Sequence, residues 1–226
     1  MNEIVACYVV CNEADVITES IRSVKAYVDR FLFHDVVFKG NPRPGTHSSD
    51  NTKEVARAAC HPLPCTYVES LVWGVSQGAA RNEYLNRAEG VAFVLDADEI
   101  MVGDHEDVGA LFEWLREDDG PKAVTIPVYT TAAMVKGWGK DIPREIYERA
   151  ALIHTKGHMP RFIRTDAGYR YREDEKIFSA GLWNAKGELL RGEEEKSVFL
   201  INRRALRPFD SYIDSCFWTM GSRGLL

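Results

Sequence analysis

The sequence predicts an α/β fold with a mainly parallel central sheet flanked by helices, and three observations predict it. The apolar runs at 4–10 and 91–95 are too short for helices and lack polar alternation, as strands buried on both faces require. The segments between such runs carry apolar residues at helical spacing. Polar residues then follow the strand-like runs directly, at Asn12 and Glu13, at Asp35, and at Asp96 and Asp98. Functional groups in parallel α/β sheets gather at those carboxyl ends.

Taken in order, residues 4–10 form the first strand, and residues 15–28 set Val16, Ile17, Ile21, Val24 and Val28 along one helical face. Residues 30–33 form a second strand ending at His34-Asp35, and the prolines and glycines of 39–45 make a loop. A helix starts at Asp50-Asn51-Thr52, with Asn51 and Glu54 spaced as a capping box, and ends by Cys60, before Pro62. A strand at 66–68, a helix at 76–88 and the strand at 91–95 follow. A helix at 106–116, a strand at 123–129, short strands at 161–163, 169–172 and 197–201, and an amphipathic helix at 209–220 complete the pattern. This rhythm means βαβ units with right-handed crossovers.

The 226 residues, 45% hydrophobic and 27% charged, suit one globular domain, 1–226. A net charge of −6 speaks against general nucleic-acid binding, although Arg161, Arg164, Arg170 and Arg172 leave room for a local basic groove. The apolar run at 4–11, bounded by Glu3 and Glu13, is too short for a signal peptide or a transmembrane segment of about 20 residues. A cytoplasmic protein, or one peripheral to a membrane, is expected. The five cysteines leave one unpaired in any disulfide scheme and lack zinc-site spacing, so they read as reduced and structural.

In an extended chain Asp96 and Asp98 point the same way and Ala97 the other. Two carboxylates converging past an apolar strand call for a positive partner, and Mg²⁺ or Mn²⁺ with oxygen ligands is the natural one. Such an ion bridges carboxylates and a diphosphate and stabilises the charge of the leaving diphosphate. An isolated D-x-D serves equally as a turn cap.

The wider set of motifs adds to this pair. Cys11-Asn12-Glu13-Ala14-Asp15, Ser20-Ile21-Arg22-Ser23-Val24, the run from Val28 to Asp35, Ser48-Ser49-Asp50-Asn51-Thr52, Gly78-Ala79-Ala80-Arg81-Asn82 and Val94-Leu95-Asp96-Ala97-Asp98-Glu99 occur in order. Together they make residues 4–99 resemble the family 2 glycosyltransferases, which have the GT-A fold. The resemblance implies a nucleotide-sugar-binding half at 1–103 and an acceptor-binding half at 104–226. It implies a UDP- or GDP-linked donor held by Cys11, Asn12, Glu13, Asp35, Arg81, Asp96 and Ala97, with Glu13 and Asp35 on the ribose and base. Arg81 is implied near the diphosphate or base, and Asp98 with Asp96 as ligands of Mn²⁺ or Mg²⁺. Carboxylates can accept hydrogen bonds from ribose hydroxyls or an imide N–H, and an arginine fork suits phosphate oxygens. The insertion at 36–47 departs from the family pattern.

Inverting members need a carboxylate to take the proton of the acceptor hydroxyl, on a glycan or another acceptor. Of Glu173, Asp174 and Glu175, Asp174 is the chosen catalytic base. Trp138, between Gly137 and Gly139, either stacks on a sugar or packs on the core. Two other classes compete. A sugar nucleotidyltransferase needs a glycine-rich loop after the first strand, where Val10-Cys11-Asn12-Glu13-Ala14 has no glycine. A non-catalytic nucleotide-sugar-binding protein would keep the donor half alone.

Overall fold

A computed structural model describes residues 1–39, 45–72, 74–131, 152–155, 160–174, 177–190 and 192–202. The expected helix at 209–220, Trp138 and Glu175 lie outside the described residues. In chain order the elements are β1 (Ile4–Val10), α1 (Ile17–Val24), β2 (Arg30–Asp35), α2 (Thr52–Cys60), β3 (Cys65–Glu69), α3 (Gln77–Arg87), β4 (Val91–Asp96) and β5 (Glu99–Val102). They continue with α4 (His105–Arg116), β6 (Ala123–Thr125), β7 (Val128–Thr131), β8 (Leu152–Thr155), β9 (Phe162–Arg164), β10 (Arg170–Asp174), β11 (Ile177–Trp183), β12 (Glu193–Glu194) and β13 (Phe199–Asn202).

Among the described residues the central sheet has seven strands in the order β12-β6-β9-β4-β1-β2-β3. The strands β4, β1, β2 and β3 run parallel, and β9 alone is reversed, antiparallel to both β4 and β6. Alternation along β1 explains its unbroken apolar sequence. Ile4, Ala6, Tyr8 and Val10 face α1, α2 and α4, while Val5 and Cys7 face Tyr84 and Leu85 of α3. In α1 the buried residues are Ile17, Ser20, Ile21 and Val24, and the buried Tyr8 and Ser20 hydroxyls lie 3.1 Å apart.

Four expectations are corrected. The first helix is shorter than 15–28, because the chain turns at Lys25 to bring Asp29 back onto Ile4. There the Asp29 carboxylate accepts the Ile4 N–H at 2.7 Å and an Arg116 N–H at 2.6 Å. The capping box at Asn51 does not form; Asp50 instead accepts the Thr52 N–H at 3.0 Å. The strand expected at 123–129 divides at Ile126-Pro127, since proline has no N–H for a ladder. Its first part, β6, joins the central sheet, and its second, β7, joins a separate sheet of order β5-β13-β7-β8. Finally, the Asp96 to Glu99 stretch is not extended: Ala97 and Asp98 form a turn between β4 and β5.

Candidate active site

Register places the strand ends side by side. Val10 of β1 pairs with Asp35 of β2, and Val9 pairs with Asp96 of β4. Because Val9 and Val10 face opposite sides of the pleat, Asp35 and Asp96 lie on opposite faces of the sheet, at the same carboxyl edge. The expected donor-site residues therefore form two groups rather than one ring.

The first group lies on the α2 side. Ser48 donates its backbone N–H and its hydroxyl to Asp35 Oδ1, both at 2.8 Å, and the Tyr67 hydroxyl donates to Oδ2 at 2.8 Å. Burial pushes the Asp35 carboxyl above its ordinary range, and the Tyr67 and Ser48 hydrogen bonds oppose that. The Asn12 N–H donates to the Ser48 hydroxyl at 2.9 Å, and Asn12 Oδ1 accepts the Ser49 N–H at 2.7 Å. The Glu13 N–H donates to Thr52 Oγ1 at 2.8 Å. Asn12 has φ of 55°, a left-handed backbone that asparagine tolerates better than most residues. The loop after β1 is thus fixed by the segment Ser48 to Thr52.

The insertion after β2 is tied to the same edge. The Val37 N–H donates to the Thr46 carbonyl, the Lys39 N–H to the Val75 carbonyl, and the Gly74 N–H to the Val37 carbonyl.

The second group lies on the α3 side. Arg81 is buried on α3 and reaches Asp96 at 3.6 Å, and its guanidinium sits 5.5 Å over the Tyr171 ring. The Asp96 side chain keeps 31% exposure, whereas Asp98 is 3% exposed. The Asp96 N–H donates to Glu99 Oε2 at 2.9 Å, and Arg161 binds Glu99 Oε1 at 2.5 Å. Burial, and then the Asp96 and Asp98 carboxylates, push Glu99 up to about 7 against the pull of Arg161. Three acids and two arginines thus meet where β4 turns into β5.

Sequence reading missed Glu99 and Arg161 as parts of this site. Glu99 follows the Asp96-Ala97-Asp98 triplet, but its partner is 62 positions away and leaves no local signal. Asp174, the expected base, is the last residue of β10. Among the described residues no three His, Cys, Asp or Glu side chains cluster as a metal cage. Of the two aspartates of this turn, Asp96 is partly exposed at the carboxyl edge of β4 and Asp98 is buried.

A mainly parallel sheet with one reversed strand and helices on both faces is an arrangement of the GT-A type. Solved structures with this architecture include residues 1–349 of S. aureus TarS, 16% identical to this chain with a TM-score of 0.50, covering 77% of this chain and 52% of that one. A second S. aureus TarS structure is 14% identical with a TM-score of 0.52, covering 87% and 36% of the two chains. The glucosyl-3-phosphoglycerate synthase of M. tuberculosis is 13% identical with a TM-score of 0.51, covering 99% and 81%. The chain thus spans about half, or less, of the TarS structures it matches. No family profile matches the sequence, and no curated protein is similar to it in sequence. Among the described residues no helix is long and apolar enough to cross a membrane.

Proposed function

We propose that this chain is a glycosyltransferase that takes a sugar from a UDP- or GDP-sugar and transfers it, with inversion, to an acceptor hydroxyl. The observation that carries the reading is the Asp96-Ala97-Asp98 turn at the carboxyl edge of β4, beside Asn12 and Glu13 at the edge of β1, in a GT-A sheet. Asp96, with Asp98, would hold Mn²⁺ or Mg²⁺ against the donor diphosphate, and the bound ion would supply charge neutralisation for the leaving group. Arg81, already turned toward Asp96, adds positive charge on the same side.

Asp174 would accept the proton of the acceptor hydroxyl as its oxygen bonds to the anomeric carbon. The bond from that carbon to the diphosphate breaks on the opposite face, and the nucleoside diphosphate leaves with the electron pair. Cys11 and Ala97 would border the donor through their backbones, and Glu13 and Asp35 would lie toward its ribose and base. Asp35 is buried and both its oxygens already accept hydrogen bonds, from Ser48 and from Tyr67, so it would act on the base through Ser48.

Calorimetric titration of UDP- and GDP-sugars with Mn²⁺ tests the reading directly. The expected result is metal-dependent binding of one nucleotide class, weakened at least tenfold in Asp98→Ala. Equal binding with and without metal, or none to either class, refutes it.

A further inference from the structure

Asn82 stands next to Arg81 on α3, and its carboxamide pairs with both backbone groups of Tyr171. Asn82 Nδ2 donates to the Tyr171 carbonyl at 2.9 Å, and the Tyr171 N–H donates to Asn82 Oδ1 at 2.8 Å. A neighbouring strand would offer the same two-point pairing, and it fixes β10 on α3 both along its length and in rotation. The Tyr171 ring is thereby held in the interior, edge-on to Tyr84 with centroids 6.4 Å apart. Its face carries the Arg81 guanidinium, which also lies 3.6 Å from Asp96. A line of contacts therefore runs from the β10–β11 hairpin through Arg81 to the carboxylate at the end of β4.

A buried guanidinium has lost its hydration, and an aromatic face replaces part of it. Without that face the cation gains by moving closer to Asp96. A full Arg81–Asp96 ion pair would then compete with any cation for that carboxylate. We infer that Tyr171, held by Asn82, is a positioning residue: it keeps Arg81 beside Asp96 without letting it close on the carboxylate. A residue of the second half of the chain thus sets the charge of the donor site in the first. The inference uses the glycosyltransferase reading only for the ligand in its binding test.

The test compares the wild type with Tyr171→Phe, Tyr171→Leu and Asn82→Ala, reading the Kd for UDP or GDP with Mn²⁺ alongside melting temperature. Tyr171→Phe keeps the aromatic face and is expected within about twofold of wild type, whereas Tyr171→Leu is expected to bind about tenfold more weakly. Asn82→Ala, which leaves the ring in place but unpins it, is expected between the two. Wild-type affinity in Tyr171→Leu overturns the inference. If Tyr171→Leu fails to fold, Asn82→Ala decides, and wild-type affinity there overturns it. If the wild type binds no nucleotide, the glycosyltransferase reading fails, and hydrogen exchange across residues 94–101 decides the positioning role. Slower exchange there in the Leu or Ala variants than in Tyr171→Phe, as a closed Arg81–Asp96 pair requires, supports it, and equal or faster rates overturn it.

Discussion

Glu99 is closed off from water with Asp96 and Asp98 close by, and Arg161 is the cation that binds it. Removing one partner of such a pair leaves a buried charge without compensation, which costs about 3 kcal/mol or more. Arg161→Met is therefore expected to lower unfolding stability by about 3 kcal/mol at pH 8, where the wild-type Glu99 is ionised, measured by urea denaturation. The effect has a pH signature. Glu99 is raised to about 7 in the folded chain from an ordinary value of 4.5, so the fold favours its protonated form. That contribution is complete below 4.5 and is lost as pH rises through about 7. Without Arg161 the carboxyl is pushed higher still, so the stability gap between Arg161→Met and wild type should widen from pH 5 to pH 8. A gap that does not change with pH would show that Arg161 acts through packing alone.

The entry to β4 depends on a close approach of backbones. Gly90 has φ of 83°, and a Cβ placed there would lie 2.4 Å from the Glu3 carbonyl oxygen and 2.9 Å from its nitrogen. The same Glu3 carbonyl accepts the Val91 N–H at 2.8 Å, and the Gly90 carbonyl accepts the Thr165 N–H at 2.9 Å. This glycine therefore aligns β1, β4 and the segment after β9 at the edge opposite the candidate site. Gly90→Ala adds both a strained left-handed backbone and a backbone clash. It is expected to cost about 3 kcal/mol, read as a lower urea midpoint. An unchanged midpoint would mean that the strand entries can separate without loss.

At the scale of the whole molecule, the two halves expected on either side of residue 103 share one sheet. Strand β9 pairs with β4 on the side away from β1, and Phe93 stacks on Phe162 with centroids 4.2 Å apart, with Phe112 edge-on to both. A fragment of residues 1–103 loses that partner strand and the α4 face of the core, leaving β4 with an open apolar edge. It is expected to show no cooperative urea transition, while the full chain unfolds in one. A cooperative transition in the fragment would make the first half an independent domain.

Several features of this protein were legible in its amino-acid order alone. The both-face apolar runs of β1 and β4, the helical periodicity of α1 and α4, and the polar residues closing β1, β2 and β4 are local patterns, set by strand and helix periods. They sufficed to anticipate a parallel α/β sheet and to point to its carboxyl edge. Strand β5 was hidden because it is only four residues long and its partner β13 is distant in the sequence. The reversed strand β9, the capture of Glu99 by Arg161 and the pinning of Tyr171 by Asn82 join residues 62 to 89 positions apart. Such pairings arise from the closing of one sheet and one core, so only the tertiary structure could decide which acid meets which cation.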